Sequence, residues 1–292
     1  MFRTRTRSVA IAPRGQFLTF DQIYRLAPSV FASGAHESRS DRYAYIPTVD
    51  ILRRLYQEGF RVSSVQQAGS RIEGKGEYTK HLVRLRHMGQ RNGVTRDLDA
   101  QPEVALLNSH DGTSAYRLYA GIIRFACENG LIVADGATTR GISVHHKGNV
   151  ADDIIDASYT VLNESRLAME QAQHWQAISM DKTEQEIFAE AVRDVRFPQI
   201  EGKEPVPASI LLEARRSEDR ESNLWVVANK VQENAIRGGN WYYTRNARGR
   251  RGTQTTRPVK AIDATVKINR EIWSCAETMA QRLDAYHARK QA

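Results

Sequence analysis

The spacing of apolar side chains changes near residue 150, and this change constrains the fold more than any other feature of the chain. Residues from Tyr78 to His87 alternate between two faces, which is the period of a β-strand. From Ala151 onwards, apolar residues such as Ile154 and Val161 recur at the spacing of a helix. We therefore predict an α+β fold: an antiparallel sheet with packed helices, followed by a long-helix segment and a C-terminal helical unit that carries a basic loop.

The same change, together with proline and charge, divides the chain into four segments. We predict a flexible basic arm (1–16), an α+β core (17–150), a helical segment with a linker (151–205) and a C-terminal unit (206–292) whose basic loop spans 237–260. Pro198, Pro205 and Pro207 mark the linker, because proline cannot continue a helix.

Two helix starts are recognisable in the predicted core. Thr19 and Gln22 have the spacing of a capping box, so a short helix should run from about Asp21 until Pro28 prevents its continuation. A second helix should open at Pro47 and end near Gly59.

Charge is distributed unevenly along the chain. Residues 1–150 carry 21 basic and 13 acidic side chains, residues 151–234 carry 9 and 17, and residues 235–292 carry 12 and 4. The whole chain has a net charge of +8, which favours an anionic partner. An acidic middle between two basic ends indicates a binding surface built from the ends, with the middle facing elsewhere or pairing with a neighbour.

The basic loop is the strongest candidate for such a surface. It has no Asp or Glu, and four glycines loosen its backbone. Its cations and aromatic residues are Arg237, Trp241, Tyr242, Tyr243, Arg245, Arg248, Arg250, Arg251, Arg257 and Lys260. Concentrated cations bind phosphates, and aromatic faces accept unstacked bases, so the tract is typical of a grip on a single strand. The alternative is a solvated loop whose aromatic rings pack back onto the domain.

A second set of cations lies on the predicted strand. Lys80, Arg84 and Arg86 would share one face of the sheet, which concentrates repulsion unless a polyanion neutralises it. We therefore include these three residues as candidate nucleic-acid contacts. Arg215 and Arg216 precede an acidic stretch and fit either phosphate binding or local ion pairing.

Catalytic signals are weak. The chain lacks a Walker A loop, GxGxxG, GxSxG, HExxH and CxxC. His110 and Asp111 have the residue types of a general base with an orienting carboxylate, but they also suit a tight turn. His145 and His146 are adjacent and would point to opposite sides of a strand. We predict no catalytic residue, metal ligand or cofactor. The sequence leaves enzymatic activity undecided and favours a protein that is not an enzyme.

Compartment is indicated by three absences in the sequence. The N-terminus lacks the apolar core of a secretory signal, and no apolar run approaches the ~20 residues needed to span a bilayer. The two cysteines, Cys127 and Cys275, do not make a disulfide framework. We expect a cytoplasmic protein without a membrane partner.

Several segments together resemble one family. They are 36–48, 79–87, 102–131, 224–239 and 256–280, and the more specific of their motifs are the turn that begins at Asn108 and the segment from Arg124 to Gly130. The chain resembles phage- and plasmid-borne proteins catalogued as a domain of unknown function, number 932, from about residue 20 to 283. That family name implies no activity.

The order of elements resembles a second group of proteins. A capped helix after an aromatic-rich entry, then strands and a long helix, is similar to single-strand annealing proteins of the Erf-like, Red-beta-like and Rad-fifty-two types. Such proteins form rings or filaments and hold single strands in a basic groove. This resemblance implies that the cations of the strand and of the basic loop would line that groove.

Three hypotheses follow. The first is a homo-oligomeric protein of mobile elements that binds single-stranded DNA or another nucleic acid, to anneal or protect it in recombination. The second is a metal-dependent nuclease that uses His110 and Asp111, with Asp135 as a possible ligand. The third is an anti-defence protein that binds a host protein, with the acidic middle as its contact.

Overall fold

A computed structural model describes residues 9–34, 46–89, 98–127, 129–133, 141–144, 149–201, 204–245 and 249–291. The chain divides into two compact units, Met1–Ala168 and Met169–Ala292, which we call the first and second unit. The division falls inside helix α3.

The first unit is built on an antiparallel sheet, as the sequence predicts, and its described residues form seven strands. Its strands are β1 (Val9–Ile11), β2 (Phe60–Gln67), β3 (His81–His87), β4 (Ala100–Asn108), β5 (Tyr116–Arg124), β6 (Asn129–Ile132) and β7 (Ile142–Val144). The strands follow one another in space from β1 to β6, and β7 pairs with the part of β5 that β6 leaves open. The flexible arm expected over residues 1–16 is wrong from Val9 onwards, because Val9–Ile11 pairs with β2.

In its described residues, this unit contains three α-helices in whole or in part. They are α1 (Phe20–Leu26), α2 (Thr48–Gln57) and the first part of α3 (Val150–Ala177). Thr19 and Gln22 form the predicted capping box of α1. Ser165 on α3 lies 2.9 Å from the carbonyl oxygen of Glu103 and accepts the N–H of Gly121, so α3 contacts strands β4 and β5 directly.

The central strands are buried on both faces. Every residue of β4 is buried, and β3 is buried from His81 to Arg86. A strand that alternates polar and apolar residues usually leaves one face in water. Here both faces are covered, so the polar side chains of β3 need partners inside the protein.

The second unit is mainly helical. It contains the end of α3, then α4 (Lys182–Arg196), α5 (Leu224–Arg237) and α6 (Ile262–Gln291), and one hairpin of β8 (Trp241–Arg245) and β9 (Arg251–Thr255). The rings of Trp175 and Trp273 pack 4.4 Å apart in its core, and α5 is buried from Leu224 to Ala235. The long helix α3 and the helical character of the C-terminal part agree with the sequence prediction.

Candidate nucleic-acid interface

The basic tract is a hairpin rather than a loop. Trp241 pairs with Thr255 and Arg245 with Arg251 in an antiparallel register, so the expectation of an irregular segment over 237–260 is wrong for its central part. The strands β8 and β9 form a sheet of their own, separate from that of the first unit.

One face of the hairpin carries aromatic and cationic side chains together. Trp241, Tyr243 and Arg245 alternate along β8, and Arg251 lies directly opposite Arg245 on the same face. The indole of Trp241 is 54% exposed and the ring of Tyr243 is 68% exposed. The two rings meet edge to face at a centroid distance of 5.5 Å. We call these four residues the hairpin face.

Tyr242 belongs to the opposite side of the hairpin. Its hydroxyl donates to Gln254 Oε1 at 3.1 Å across the strand pair, and its ring is half-buried. The sequence predicts three equivalent aromatic contacts, whereas the register separates Tyr242 from the other two.

The base of the hairpin is attached to the C-terminal end of α5. The guanidinium of Arg215 donates to the carbonyl of Gly238 at 2.8 Å, to Asn240 Oδ1 at 2.9 Å and to Asn234 Oδ1 at 2.7 Å. Gly238 has φ +62°, and a Cβ there would lie 2.7 Å from the backbone carbon of Arg257, so only glycine fits. The guanidinium of Arg215 is thus held by neutral oxygens rather than by an ion pair. Arg216 does form local ion pairs, with Glu233 at 2.7 Å and Asp219 at 3.5 Å.

A second arginine supports the same junction. Arg196 Nε donates to the carbonyl of Ala235 at 2.9 Å, and its Nη2 donates to the carbonyl of Arg257 at 2.7 Å. The last carbonyls of a helix have no partner within the helix, and a cation there also opposes the negative end of its dipole. The hairpin therefore begins and ends on a rigid support.

A cleft of about 550 Å³ lies beside the hairpin. Its walls are Glu204, Tyr243, Thr244, Arg245, Arg251, Gly252 and Thr253. The carboxylate of Glu204 accepts the backbone N–H of Arg245 at 2.5 Å. The cleft therefore combines one aromatic ring, two arginines and one carboxylate.

The remaining cations of the tract differ in their surroundings. Arg237 donates to Glu233 Oε1 at 2.5 Å, while 59% of its side chain is exposed. Arg250, Arg257 and Lys260 are exposed, and Arg248 lies outside the described residues. Glu233 also accepts Arg216 Nη2 on both oxygens, so Arg237 shares this carboxylate with a second arginine. The other cations flank the hairpin face.

The cations predicted on strand β3 do not form an exposed row. Arg84 is 8% exposed and Arg86 is 1% exposed. Arg86 Nε lies 2.8 Å from Glu103 Oε1, and Arg84 Nη1 lies 3.3 Å from Glu103 Oε2. The neutralising acid lies on the neighbouring strand, and the expectation that Arg84 and Arg86 face a polyanion is wrong. Lys80 precedes β3 and is half-buried.

The family is decided by comparison with known sequences. A model described as "Domain of unknown function (DUF932)" matches residues 35–273. The chain belongs to the DUF932 family. Two relatives from Escherichia coli (strain K12), UPF0380 protein YafZ and UPF0380 protein YfjQ, are each 39% identical over 270 residues, covering 92% of this chain and 94% of each relative. No solved structure matches the chain.

The turn that carries the DUF932 resemblance is part of a buried polar network. Thr48 Oγ1 lies within 3.2 Å of polar atoms of four residues: His81, Asn108, His110 and Tyr116. A hydroxyl has one hydrogen to donate and two lone pairs, so the two imidazoles must differ in their roles towards it. Burial, followed by the charge of His110, lowers the pKa of His81 to about 3.

The carboxylate of Asp111 forms hydrogen bonds within the same turn. Its Oδ1 accepts the hydroxyl of Thr113 at 2.6 Å and the N–H of Thr113 at 3.1 Å, and Lys75 Nζ lies 3.4 Å from its Oδ2. Burial opposes ionisation, but the hydrogen bonds from Thr113 and Ser109 and the charge of Lys75 lower the pKa of Asp111. His110 is fully buried. This arrangement stabilises a turn and does not present a general base to a substrate.

The second segment that carries the DUF932 resemblance, Arg124 to Gly130, ends in a glycine that the structure requires. A Cβ on Gly130 would lie 2.2 Å from Arg84 Cζ, and the carbonyl of Gly130 accepts Arg84 Nη2 at 2.8 Å. The guanidinium therefore needs glycine at this position in order to lie against the backbone of β6. Both motifs that carry the family resemblance thus serve the core of the first unit.

Metal binding and membrane insertion have no support in the described part of the chain. It contains no group of three His, Cys, Asp or Glu side chains placed to hold a metal ion. Asp135, His145 and His146 lie outside the described residues. None of the described helices has both the length and the apolar character needed to cross a membrane.

Proposed function

We propose that this protein binds single-stranded DNA on the hairpin face. Arg245 and Arg251 neutralise phosphates, Trp241 and Tyr243 stack against bases, and no cofactor takes part. In this proposal the protein is cytoplasmic and acts as a homo-oligomer that anneals or protects single strands during recombination of mobile elements.

The observation that carries the proposal is the common exposed face of two aromatic rings and two guanidinium groups. Exposing an indole and a phenol ring side by side leaves apolar surface in water that folding would otherwise bury. Stacking on a base covers that surface, and every base has a π-face, so the contact tolerates many sequences. A double helix hides these faces, which favours a single strand.

The rigid junction of the hairpin supports the same proposal. Arg196 and Arg215 fix the two ends of the tract to α5 through backbone carbonyls and Asn240. A site held on a rigid element loses less conformational entropy on binding.

Self-association is supported by the edges of the hairpin. Within the described residues, β8 and β9 pair only with each other; the N–H of Arg245 on β8 is taken by Glu204, so the open edge is that of β9. Unpaired edges are places where a further strand can add. We expect particles larger than one chain in electron micrographs, and a change of their shape or number when single-stranded DNA is added.

Binding is tested with a fluorescent single-stranded oligonucleotide and a double-stranded control of the same sequence. Fluorescence anisotropy over a series of salt concentrations should show affinity falling by about 0.7 log units per log unit of salt for each phosphate neutralised. Replacing both Trp241 and Tyr243 by alanine should weaken binding about tenfold or more. Tyr24→Ala is the matched control, because Tyr24 is 59% exposed and lies in the first unit.

The proposal is rejected if the wild-type protein does not bind, or if affinity does not respond to salt. It is also rejected if Tyr24→Ala weakens binding as much as the double variant does. In that case the hypothesis of a host-protein partner would be tested next, by recovering proteins from a host lysate. The nuclease hypothesis is not carried forward, because His110 and Asp111 are buried and bonded within the turn.

A further inference from the structure

Glu204 is an acidic residue within a cationic site. Its carboxylate accepts the backbone N–H of Arg245, and it lines the same cleft as the side chains of Arg245, Arg251 and Tyr243. This is the place where a strand bound on the hairpin face would bring a phosphate. A carboxylate at this position repels a phosphate and therefore weakens binding of the strand.

The arrangement around Glu204 has the chemistry of a phosphate site. Arg245 and Arg251 are directly opposite on one face, and like charges in that position repel. An anion beside them removes the repulsion. A backbone N–H together with arginine side chains is a common set of donors to phosphate oxygens. Glu204 accepts from the N–H of Arg245 and lines the same cleft as the two guanidinium groups without forming an ion pair with them.

The backbone at Glu204 favours this contact. Residue 205 is proline, and the residue before a proline is restricted to extended conformations. The restriction lowers the entropy cost of presenting the carboxylate to β8. The side chain stays exposed, so incoming phosphate can displace it without unfolding its surroundings.

We propose that Glu204 occupies a phosphate-binding subsite of the hairpin face and is displaced when a strand binds. The subsite consists of the backbone N–H of Arg245 and the guanidinium groups of Arg245 and Arg251, and its ligand is one phosphodiester of the strand. Glu204 therefore lowers the affinity of the free protein for polyphosphates in general. This inference rests on the proposed function.

The test compares Glu204→Gln with Glu201→Gln. Glu201 lies three residues earlier, is exposed, and its replacement changes the net charge equally. Anisotropy is measured for wild type and both variants with an oligothymidine and with an abasic oligonucleotide of equal length. The abasic probe keeps the phosphates and removes the bases, so it isolates the proposed subsite.

Glu204→Gln should tighten binding of both probes about fivefold, because removing an exposed charge from contact is worth up to about that factor. Glu201→Gln should tighten it less than twofold, since Glu201 is not among the residues that line the cleft and salt screens its exposed charge. Glu204→Ala is measured as a second variant, and circular dichroism establishes that each variant is folded.

The outcomes separate the two proposals. If wild type binds and both Glu204 variants behave like Glu201→Gln, or bind more weakly, the displaced-carboxylate inference is overturned while the proposed function stands. If wild type and all variants fail to bind either probe, the proposed function is overturned and the inference with it. Tighter binding of oligothymidine alone would also overturn the inference, because the subsite is defined by phosphate.

Discussion

Strand β3 of the first unit and the hairpin of the second unit carry the same kind of sequence and have opposite environments. Both place two arginines so that they share one face of a strand or strand pair. Arg84 and Arg86 are buried, whereas Arg245 and Arg251 are exposed. A cationic strand face therefore does not by itself indicate a binding surface.

The neighbouring strand decides between the two outcomes. Glu103 on β4 bonds to both arginines of β3, and Ser63 Oγ donates to the same carboxylate at 2.8 Å. β9 offers the hairpin no acid, because its residues are Arg, Gly, Thr, Gln and Thr. Within the described residues, the guanidinium groups of Arg245 and Arg251 have no carboxylate within salt-bridge distance. A buried pair serves stability, and an unmatched exposed pair is available for a partner.

The largest effect is expected from Glu103→Ala. It leaves two buried guanidinium groups without their acid, which should lower the free energy of unfolding by about 3–5 kcal/mol. Urea unfolding followed by circular dichroism measures the loss. Glu73→Ala, which removes an exposed acid of the same unit, should change stability by less than about 0.5 kcal/mol.

A loss below about 1 kcal/mol for Glu103→Ala would mean that Arg84 and Arg86 do not depend on this acid, and the contrast between the two strands would not hold. An equal loss in both variants would point to net charge rather than to the buried contact.

The next largest effect concerns pH and the other buried polar group of β3. His81 has a pKa of about 3 in the folded protein against 6.5 when exposed. Below pH 6.5 the His81 imidazole is therefore protonated in the unfolded chain but stays neutral in the folded chain. The contribution of His81 to the free energy of unfolding is complete above pH 6.5. It falls by about 1.4 kcal/mol per pH unit as the pH drops towards 3.

Between pH 8 and pH 5 this amounts to about 2 kcal/mol of unfolding free energy. Urea unfolding at several pH values in this range avoids most carboxylate titration. A flat profile for wild type between pH 8 and 5 would show that His81 is not held neutral by burial.

Local features of the fold could be predicted from the sequence. The capping box of Thr19 and the helix that opens at Thr48 depend on residues close together in the chain, and their spacing is enough to recognise them. The change of period near residue 150 likewise separates sheet from helices, and with them the α+β class.

Long-range partners could not be predicted in the same way. Glu103 lies within the apolar strand β4, and only the pairing of β3 with β4 brings it to Arg84 and Arg86. Glu204 precedes the residue that it contacts by 41 positions, in a segment expected to be a linker. Sequence periodicity describes one element at a time and does not show which elements meet.

The sequence of the hairpin contains a β-strand pattern, but its glycines favoured the interpretation as a loop. Trp241, Tyr243, Thr253 and Thr255 are residue types that favour strands, and they recur at every second position. The charge of the tract and Gly238 suggested a loop. Glycine is required at Gly238 by the turn out of α5, and so it marks the start of the hairpin rather than general looseness.

The smallest effect on stability, and the most direct contrast with Glu103, is expected from Arg251→Gln. Because Arg251 is exposed and has a like charge opposite it, its loss should change the unfolding free energy by less than about 0.5 kcal/mol.

Under the proposed function, the same change should weaken single-strand binding about threefold to tenfold. The salt dependence should fall by about 0.7, because one phosphate contact is lost. Arg71→Gln removes an exposed arginine of the first unit and should leave that slope unaltered. If Arg251→Gln destabilises the protein as a buried arginine would, the hairpin arginines are structural after all, and the distinction between the two strands disappears.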